Sequence, residues 1–338
     1  MPYPAKLMNL SALLLKAEAT YGTAIAVTAT ADGQLLALSD RFPGLLTLGY
    51  AWDGDIGPAP GHLGMLQRQG ALGRTVSGTI PMRAKGSGVG TTYAATVLPN
   101  IHTMLKISGF DATLAANAYT YTPTADGVTY ASATAEMYKR GEKWSGRGIL
   151  ANWSVAGSGA APPIHSFDIK GICDTTITDS AMVAPTYPSL TSLEPPCAGI
   201  SVTVGSWITP VIRSWSFAMN RAIDATRLDL TAADVHQGFV PAGYAPELKL
   251  VVESTALTYP TSSSGFDPYR LRSGADATAL SLQVGTVASN KYKIVLPQSQ
   301  LVDSQPNNDG PVATVELTFR GYNSSPIVQT DAVQVIFA

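Results

Sequence analysis

Charge is what this sequence has least of. Asp, Glu, Lys and Arg make up 14% of its 338 residues, against about 25% in ordinary soluble domains. A surface so thinly charged has few fully solvated faces, and copies of the same chain are the expected cover. The chain is not disordered for want of charge, because disordered chains combine low hydrophobicity with high net charge. This one carries 14 Tyr, 5 Trp and a net charge of only -2. Residues 1–190 hold 13 basic and 12 acidic groups, and residues 191–338 hold 9 and 12. Neither half is the basic module that gripping nucleic acid requires.

Other absences remove whole classes of chemistry. The two cysteines, Cys173 and Cys197, cannot make a metal set and read as reduced thiols of a protein assembled in the cytoplasm. His62, His102, His165 and His236 are scattered, with no second His four residues away to build a zinc face. Asp53-Gly54-Asp55-Ile56-Gly57 lacks the later oxygen donors of a calcium loop and reads as a polar turn. Gly86-Ser87-Gly88-Val89-Gly90 lacks the Lys-Ser/Thr of a phosphate loop. No Gly-x-Ser-x-Gly elbow and no distinctive carboxylate pair occurs. The expectation is a protein that is not an enzyme and takes no cofactor or metal. No run approaches the ~20 apolar residues of a membrane span. The apolar run Leu7–Leu15 is interrupted by Asn9 and Ser11 and ends at Lys16 and Glu18, unlike a secretory leader.

What is present is alternation with a period of two, the mark of half-buried strands. Leu46, Leu48, Tyr50 and Trp52 share one face of such a segment. So do Val76, Ile80 and Met82, then Ile149, Ala151, Trp153 and Val155, then Phe167 and Ile169. The second half repeats the pattern in Trp215, Phe217 and Met219, in Leu248, Leu250 and Val252, and in Tyr292, Ile294 and Leu296. Val315, Leu317 and Phe319 follow, and Val333, Val335 and Phe337 come last. One helix is expected over Pro99–Ser108, with Ile101, Met104, Leu105 and Ser108 as its packing face and Gly109 as its stop.

The order of these segments suggests an internal repeat. Each half ends its series in an apolar strand followed by a basic residue and Gly: Phe167-Asp168-Ile169-Lys170-Gly171 and Leu317-Thr318-Phe319-Arg320-Gly321. Pro185, Pro188, Pro195 and Pro196 read as a linker between the copies. The expected organisation is an N-terminal arm over 1–38, a first β domain over 39–184, a linker over 185–198 and a second β domain over 199–338. Gly86, Gly88 and Gly90 would lie at the tip of a long hairpin. Lys139, Arg140, Lys143 and Arg147 form one basic cluster. Glu136 and Glu142 are interleaved with it, so it reads as a salt-bridged loop or a contact between rings.

The chain resembles the tail tube (major tail) proteins of phages. The resemblance begins in Leu13-Leu14-Leu15-Lys16-Ala17-Glu18-Ala19-Thr20-Tyr21-Gly22-Thr23, similar to the family's apolar run with Lys and Glu before Tyr-Gly-Thr. It continues in Met104-Leu105-Lys106-Ile107-Ser108-Gly109-Phe110, in Tyr121-Thr122-Pro123-Thr124 and in Gly146-Arg147-Gly148. Gly159-Ala160-Ala161-Pro162-Pro163 and Phe167–Gly171 complete it. It spans Leu13 to Gly171, half of the chain.

The resemblance implies a mainly β protein of two tandem tail-tube-type β-sandwich or barrel domains with one short flanking α-helix. Neighbouring subunits would join their sheets around a channel for phage DNA, which passes without sequence-specific binding. It further implies stacked rings in the tail of a siphovirus-type virion, assembled in the host cytoplasm. Two domains per chain favour homotrimeric, pseudo-sixfold rings, and a homohexamer is the alternative. Tape measure, tail terminator and distal tail or baseplate proteins would be the partners, with no membrane. A terminator, a tail-tip component or a decoration or adhesion module is the competing reading. The expected assembly contacts are Leu14, Lys16, Glu18, Tyr21, Gly22, Gly86, Gly88, Gly90, Arg140 and Lys143. On this reading the arm is ordered by a neighbour, and Glu18→Lys or Tyr21→Ala blocks polymerisation without unfolding the monomer.

Overall fold

A computed structural model describes residues 11–34, 36, 47–52, 71–88, 92–125, 130–139, 141–173, 177–181, 183–187, 194–208, 210–228, 236–258, 261–273, 278–325 and 330–338. The described chain is mainly β. Its first stretch runs β1 (Ser11–Ala17), β2 (Gly33–Gln34), β3 (Thr47–Trp52), β4 (Ala71–Met82) and α1 (His102–Ile107). The hairpin of β5 (Phe110–Ala115) and β6 (Ala118–Pro123) follows, then β7 (Ala133–Lys139), β8 (Glu142–Ser158), β9 (Ile164–Cys173) and β10 (Thr178–Asp179). The second stretch runs β11 (Ser201–Val204), β12 (Ile212–Ala218), the hairpin of β13 (Ala222–Leu228) and β14 (His236–Ala242), β15 (Glu247–Glu253) and α2 (Pro268–Ser273). It continues through β16 (Thr278–Val284), β17 (Tyr292–Asp309), β18 (Val312–Gly321) and β19 (Gln334–Phe337).

The alternating segments fold as their pattern predicts. Val76, Ile80 and Met82 are buried while Thr75 and Ser77 are half-buried and Thr79 is exposed. Trp153 and Val155, Leu248 and Leu250, and Tyr292 and Ile294 are likewise buried on one face of their strands. The period-two geometry of a pleated strand makes this the only way to hide each apolar set at once. Helix α1 is shorter than expected, but Ile101, Met104, Leu105 and Ser108 all face the core, and Ile107 joins them. Gly109 ends the helix at φ +88, a conformation that glycine adopts without steric cost.

Strand pairing follows one order twice. In the first stretch β1 pairs β7, β7 pairs β8, β8 pairs β9, β9 pairs β4 and β4 pairs β3. In the second, β11 pairs β16, β16 pairs β17, β17 pairs β18, β18 pairs β15 and β15 pairs β12. Every pairing is antiparallel. The short β10 lies against the start of β8 as β19 lies against the start of β17. Registers agree too: Phe167 lies between Ile80 and Trp153, and Leu317 lies between Leu250 and Ser304.

Two expectations change here. The first is the N-terminal arm over 1–38, which the sequence reading has ordered by a neighbour. Instead Ser11–Ala17 is paired residue for residue with β7 inside the chain, and β11 stands in the same position against β16. Gly86 was expected at a hairpin tip, but β4 pairs only with β3 and β9 among the described strands. Gly86 is buried against the turn at Ser289 and Asn290 instead. Its N–H donates to Asn290 Oδ1 at 3.1 Å, and Ser87 N–H donates to Ser289 O at 3.0 Å. A side chain at 86 would collide with the Ser289 carbonyl. Gly88 is half-buried at φ +103. Gly90 lies outside the described residues.

The Pro-rich segment does not interrupt the sheet or the core. The last residues of β8 pair with β12, Val155 opposite Phe217, and β19 pairs with β6, Phe337 opposite Tyr119. One apolar cluster contains Leu13, Trp153, Phe217, Leu250, Leu317 and Phe337. The rings of Trp153 and Phe217 stand 4.9 Å apart across the seam. Glu194, near the end of the Pro-rich segment, pairs with Arg83 at 3.0 Å and with Lys85 at 3.9 Å. Both cysteines are buried, and no disulfide joins them.

A shared core predicts a shared unfolding transition. Trp153→Ala, expected to cost about 3–5 kcal/mol, and Leu250→Ala, about 2–5 kcal/mol, should each shift one and the same urea midpoint. Two transitions, each moved by only one of the variants, would contradict the continuous core.

Candidate assembly surface

The turn that follows β1 is built around one carboxylate. Glu18 Oε2 accepts from Gly22 N–H at 2.8 Å and from Ser132 Oγ at 2.5 Å. Its Oε1 accepts from Thr134 Oγ1 at 2.8 Å and from Gly148 N–H at 2.9 Å. Gly22 closes the turn at φ +71, and Gly148 approaches it at φ +58. A carboxylate with four donors binds more strongly than neutral pairs would, because charge-assisted bonds are the stronger class. Glu18 therefore ties the turn to β7 and β8.

Tyr21 extends the same knot into the second stretch. Its hydroxyl accepts from Phe239 N–H at 2.8 Å and donates to Phe239 O at 2.9 Å. Gly238, at φ +141, leaves the space that the Tyr21 ring occupies. Lys16 Nζ donates to Ala26 O at 3.3 Å and stands 4.0 Å from Asp32. Leu14 packs with Ala12 and Tyr138 in a small second cluster, against Val27, Ala29 and Val183.

Leu14, Lys16, Glu18, Tyr21 and Gly22 are thus brought together, but by contacts within this chain. Glu18 and Tyr21 are bonded to β7, β8 and β14 of the same chain, so Glu18→Lys or Tyr21→Ala removes contacts of the monomer as well as any contact with a neighbour. Lys143 forms an ion pair with Glu136 and lies over the Tyr138 ring, 5.8 Å from its centroid. Burial, the largest single influence, opposes its charge, yet the hydrogen bonds and charges of Glu136 and Tyr138 together outweigh it and raise the pKa. Arg140 lies outside the described residues. The ten expected contacts therefore do not form one patch: Gly86 belongs to another loop, and Lys143 lies at the start of β8.

Three further polar groups, His165, His102 and Arg221, are largely enclosed. Trp153 Nε1 donates to His165 Nδ1 at 3.1 Å, and the two rings stack 8° from parallel. Nδ1 is the acceptor, so the proton of the neutral ring is on Nε2, which is buried without a partner. Burial pushes the His165 pKa down to about 3. His102 bonds the Tyr121 hydroxyl at 2.7 Å, and burial, with Lys106 nearby, lowers it to about 4. Arg221, from the second stretch, donates to Ile107 O at 2.9 Å and so satisfies a carbonyl at the end of α1. Its guanidinium lies 5.2 Å from the Tyr130 ring centroid and borders an open cavity of about 250 Å³. Burial lowers its pKa to about 10. Among the described residues no three His, Cys, Asp or Glu side chains converge as metal ligands would. No family model matches the chain, and no curated protein matches it either.

Two outcomes follow. Glu18→Ala strands the Gly22 and Gly148 donors and should lower the stability of the monomer by about 1–3 kcal/mol, read from the urea midpoint. An unchanged midpoint would show that the turn is not held by this carboxylate. His165 has a folded pKa near 3 and an unfolded pKa near 6.5, so the unfolded state binds the extra proton between these values. Stability is then full above about pH 6.5 and falls on acidification by up to about 1.4 kcal/mol per pH unit. His165→Gln, which keeps an acceptor for Trp153, should flatten that slope; an identical slope would place its origin elsewhere.

Proposed function

We propose that this chain is a phage tail tube protein of a long-tailed, non-contractile phage or prophage, self-assembling into stacked rings that conduct DNA. The single observation that carries the reading is the strand order that occurs twice in one chain. We read the two occurrences as tandem copies of one tube-type β domain. The family resemblance over Leu13–Gly171 supports the same reading. Two copies per chain make a ring of three chains pseudo-sixfold, and a ring of six chains is the alternative.

The physical demands of a tube agree with the composition. A polyanion must slide through without being held, and held phosphates require basic stripes. Neither half of the sequence has a net positive excess above one. Stacked rings cover much of each subunit's surface, which a chain with 14% charged residues tolerates. On this reading the tape measure, terminator and distal tail proteins meet the ends of the tube, and no bond is made or broken.

Negative-stain images of the purified protein test the reading. Hollow tubes of uniform width are the expected result. Monomers that persist under all assembly conditions and bind sugars would favour an adhesive module at the tail tip and overturn it.

A further inference from the structure

One charged side chain lies in the interior without a counter-ion. Arg221 stands between β12 and β13 and is only 5% exposed. Its backbone N–H donates to Asn152 Oδ1 at 2.9 Å, which fixes its root against β8. Nη1 donates to Ile107 O at 2.9 Å. Nη2 is buried and has no hydrogen-bond partner. Among the described residues no Asp or Glu pairs with this guanidinium; Tyr130 is the group whose charge acts on it. A guanidinium keeps its proton at ordinary pH, so the charge stays in place. A buried charge with no opposite charge beside it is strongly destabilising, and one carbonyl and one aromatic ring offset only part of that cost.

The cavity that Arg221 borders offers donors and no acid. Its walls come from both stretches of the chain: Ser108 and Gly109 at the end of α1, Thr124 after β6 and Tyr130 before β7 face Arg221 and Asn323. No Asp or Glu among the described residues lines it. Gly109 makes room for the cation, since a Cβ there would stand 2.8 Å from the guanidinium carbon. Ser108 Oγ already donates to Met104 O at 2.8 Å. The hydroxyls of Thr124 and Tyr130 make no hydrogen bond among the described residues. Asn323 Oδ1 accepts the Ala332 N–H at 3.1 Å, which leaves its NH₂ group as an uncommitted donor.

We propose that this cavity binds one small oxyanion of the phosphate or sulfate class, held by Arg221 with Thr124, Tyr130 and Asn323 as further donors. A cation is repelled by the guanidinium, and a neutral ligand leaves its charge unanswered. A halide meets one point of the guanidinium, whereas the fork of N–H groups matches two oxygens of one anion. Unengaged hydroxyls and an amide around the same space suit the remaining oxygens. The volume of about 250 Å³ admits a free anion and its residual water. A bound anion would complete the junction between the end of α1 and the second stretch, which Arg221 now bridges by the Ile107 bond alone. Because it is formed within one chain, the site does not depend on how chains assemble. A ligand that binds the folded chain and not the unfolded one stabilises it by mass action.

Urea unfolding of the full chain in sodium phosphate, against sodium chloride at the same ionic strength, tests it. With phosphate at ten times its dissociation constant the unfolding constant should fall about tenfold relative to chloride. Phosphate also stabilises folded proteins by being excluded from their surfaces, an effect that every variant shares, so the variants decide. Arg221→Met should abolish the part of the gain that exceeds this shared effect. Tyr130→Phe keeps the ring beside the guanidinium and removes the hydroxyl, and Thr124→Val removes the second hydroxyl. Each, once shown to unfold cooperatively in chloride, should weaken phosphate binding at least about tenfold. If Arg221→Met does not fold, the two hydroxyl variants carry the test. No gain over chloride in the wild type would overturn the site, and so would an equal gain in the wild type and in both hydroxyl variants.

Discussion

Strand β8 is longer than the hairpin partner on its open side, and the rest of the structure depends on what fills the difference. β7 covers only its first part, and β12 takes Ser154–Ser158 from the far stretch of the chain. Backbone donors and acceptors in a buried strand must be paired, so this seam is where the two stretches become one body. It aligns Trp153 with Phe217 at 4.9 Å and sets His165 against Tyr292, with ring centroids 5.3 Å apart. Gly157 sits in the seam because a side chain there would meet Cys197 Sγ at 2.6 Å and the Trp215 indole at 2.7 Å. The last turn before the linker's end and the seam are thus fitted to each other.

Around that seam the polar groups act as ties between distant segments. Glu18 holds the turn after β1 to β7 and β8, and Tyr21 carries the tie on to β14. Arg221 reaches from the second stretch to the end of α1. Asn290 and Ser289 hold the loop at Gly86 and Ser87. Each tie satisfies a backbone group that the strands leave over, so a chain with little surface charge spends its few polar side chains on internal geometry.

The faces of the strands were legible in the sequence, and their edges were not. Alternation reports which side chains point inward, and it placed Val76, Trp153, Leu250 and Ile294 correctly because a pleated strand has no other way to bury them. It carries no record of which strand lies alongside, so neither β8 with β12 nor the integration of β1 could be read from it. The four residues of β11 show a single Val-x-Val alternation, too short to mark the counterpart of β1, and the six residues of α2 are too few for a helical period. Glu18 signals only its local bond to Gly22; Ser132 and Gly148 lie 114 and 130 residues further on. The glycine run at 86 looks like a flexible tip by composition, yet its meaning is a close approach to a turn 204 residues away.

One strand order occurs twice in this chain, and the function proposed from it is a ring in which the two halves take equivalent places. Rotational analysis of end views of single assembled rings tests it most directly. The account predicts that low-resolution density shows sixfold symmetry which falls to threefold as the differences between the halves, such as the β5–β6 and β13–β14 hairpins, become visible. A ring in which the two halves of the chain lie at different radii, with no sixfold component at any resolution, would contradict it.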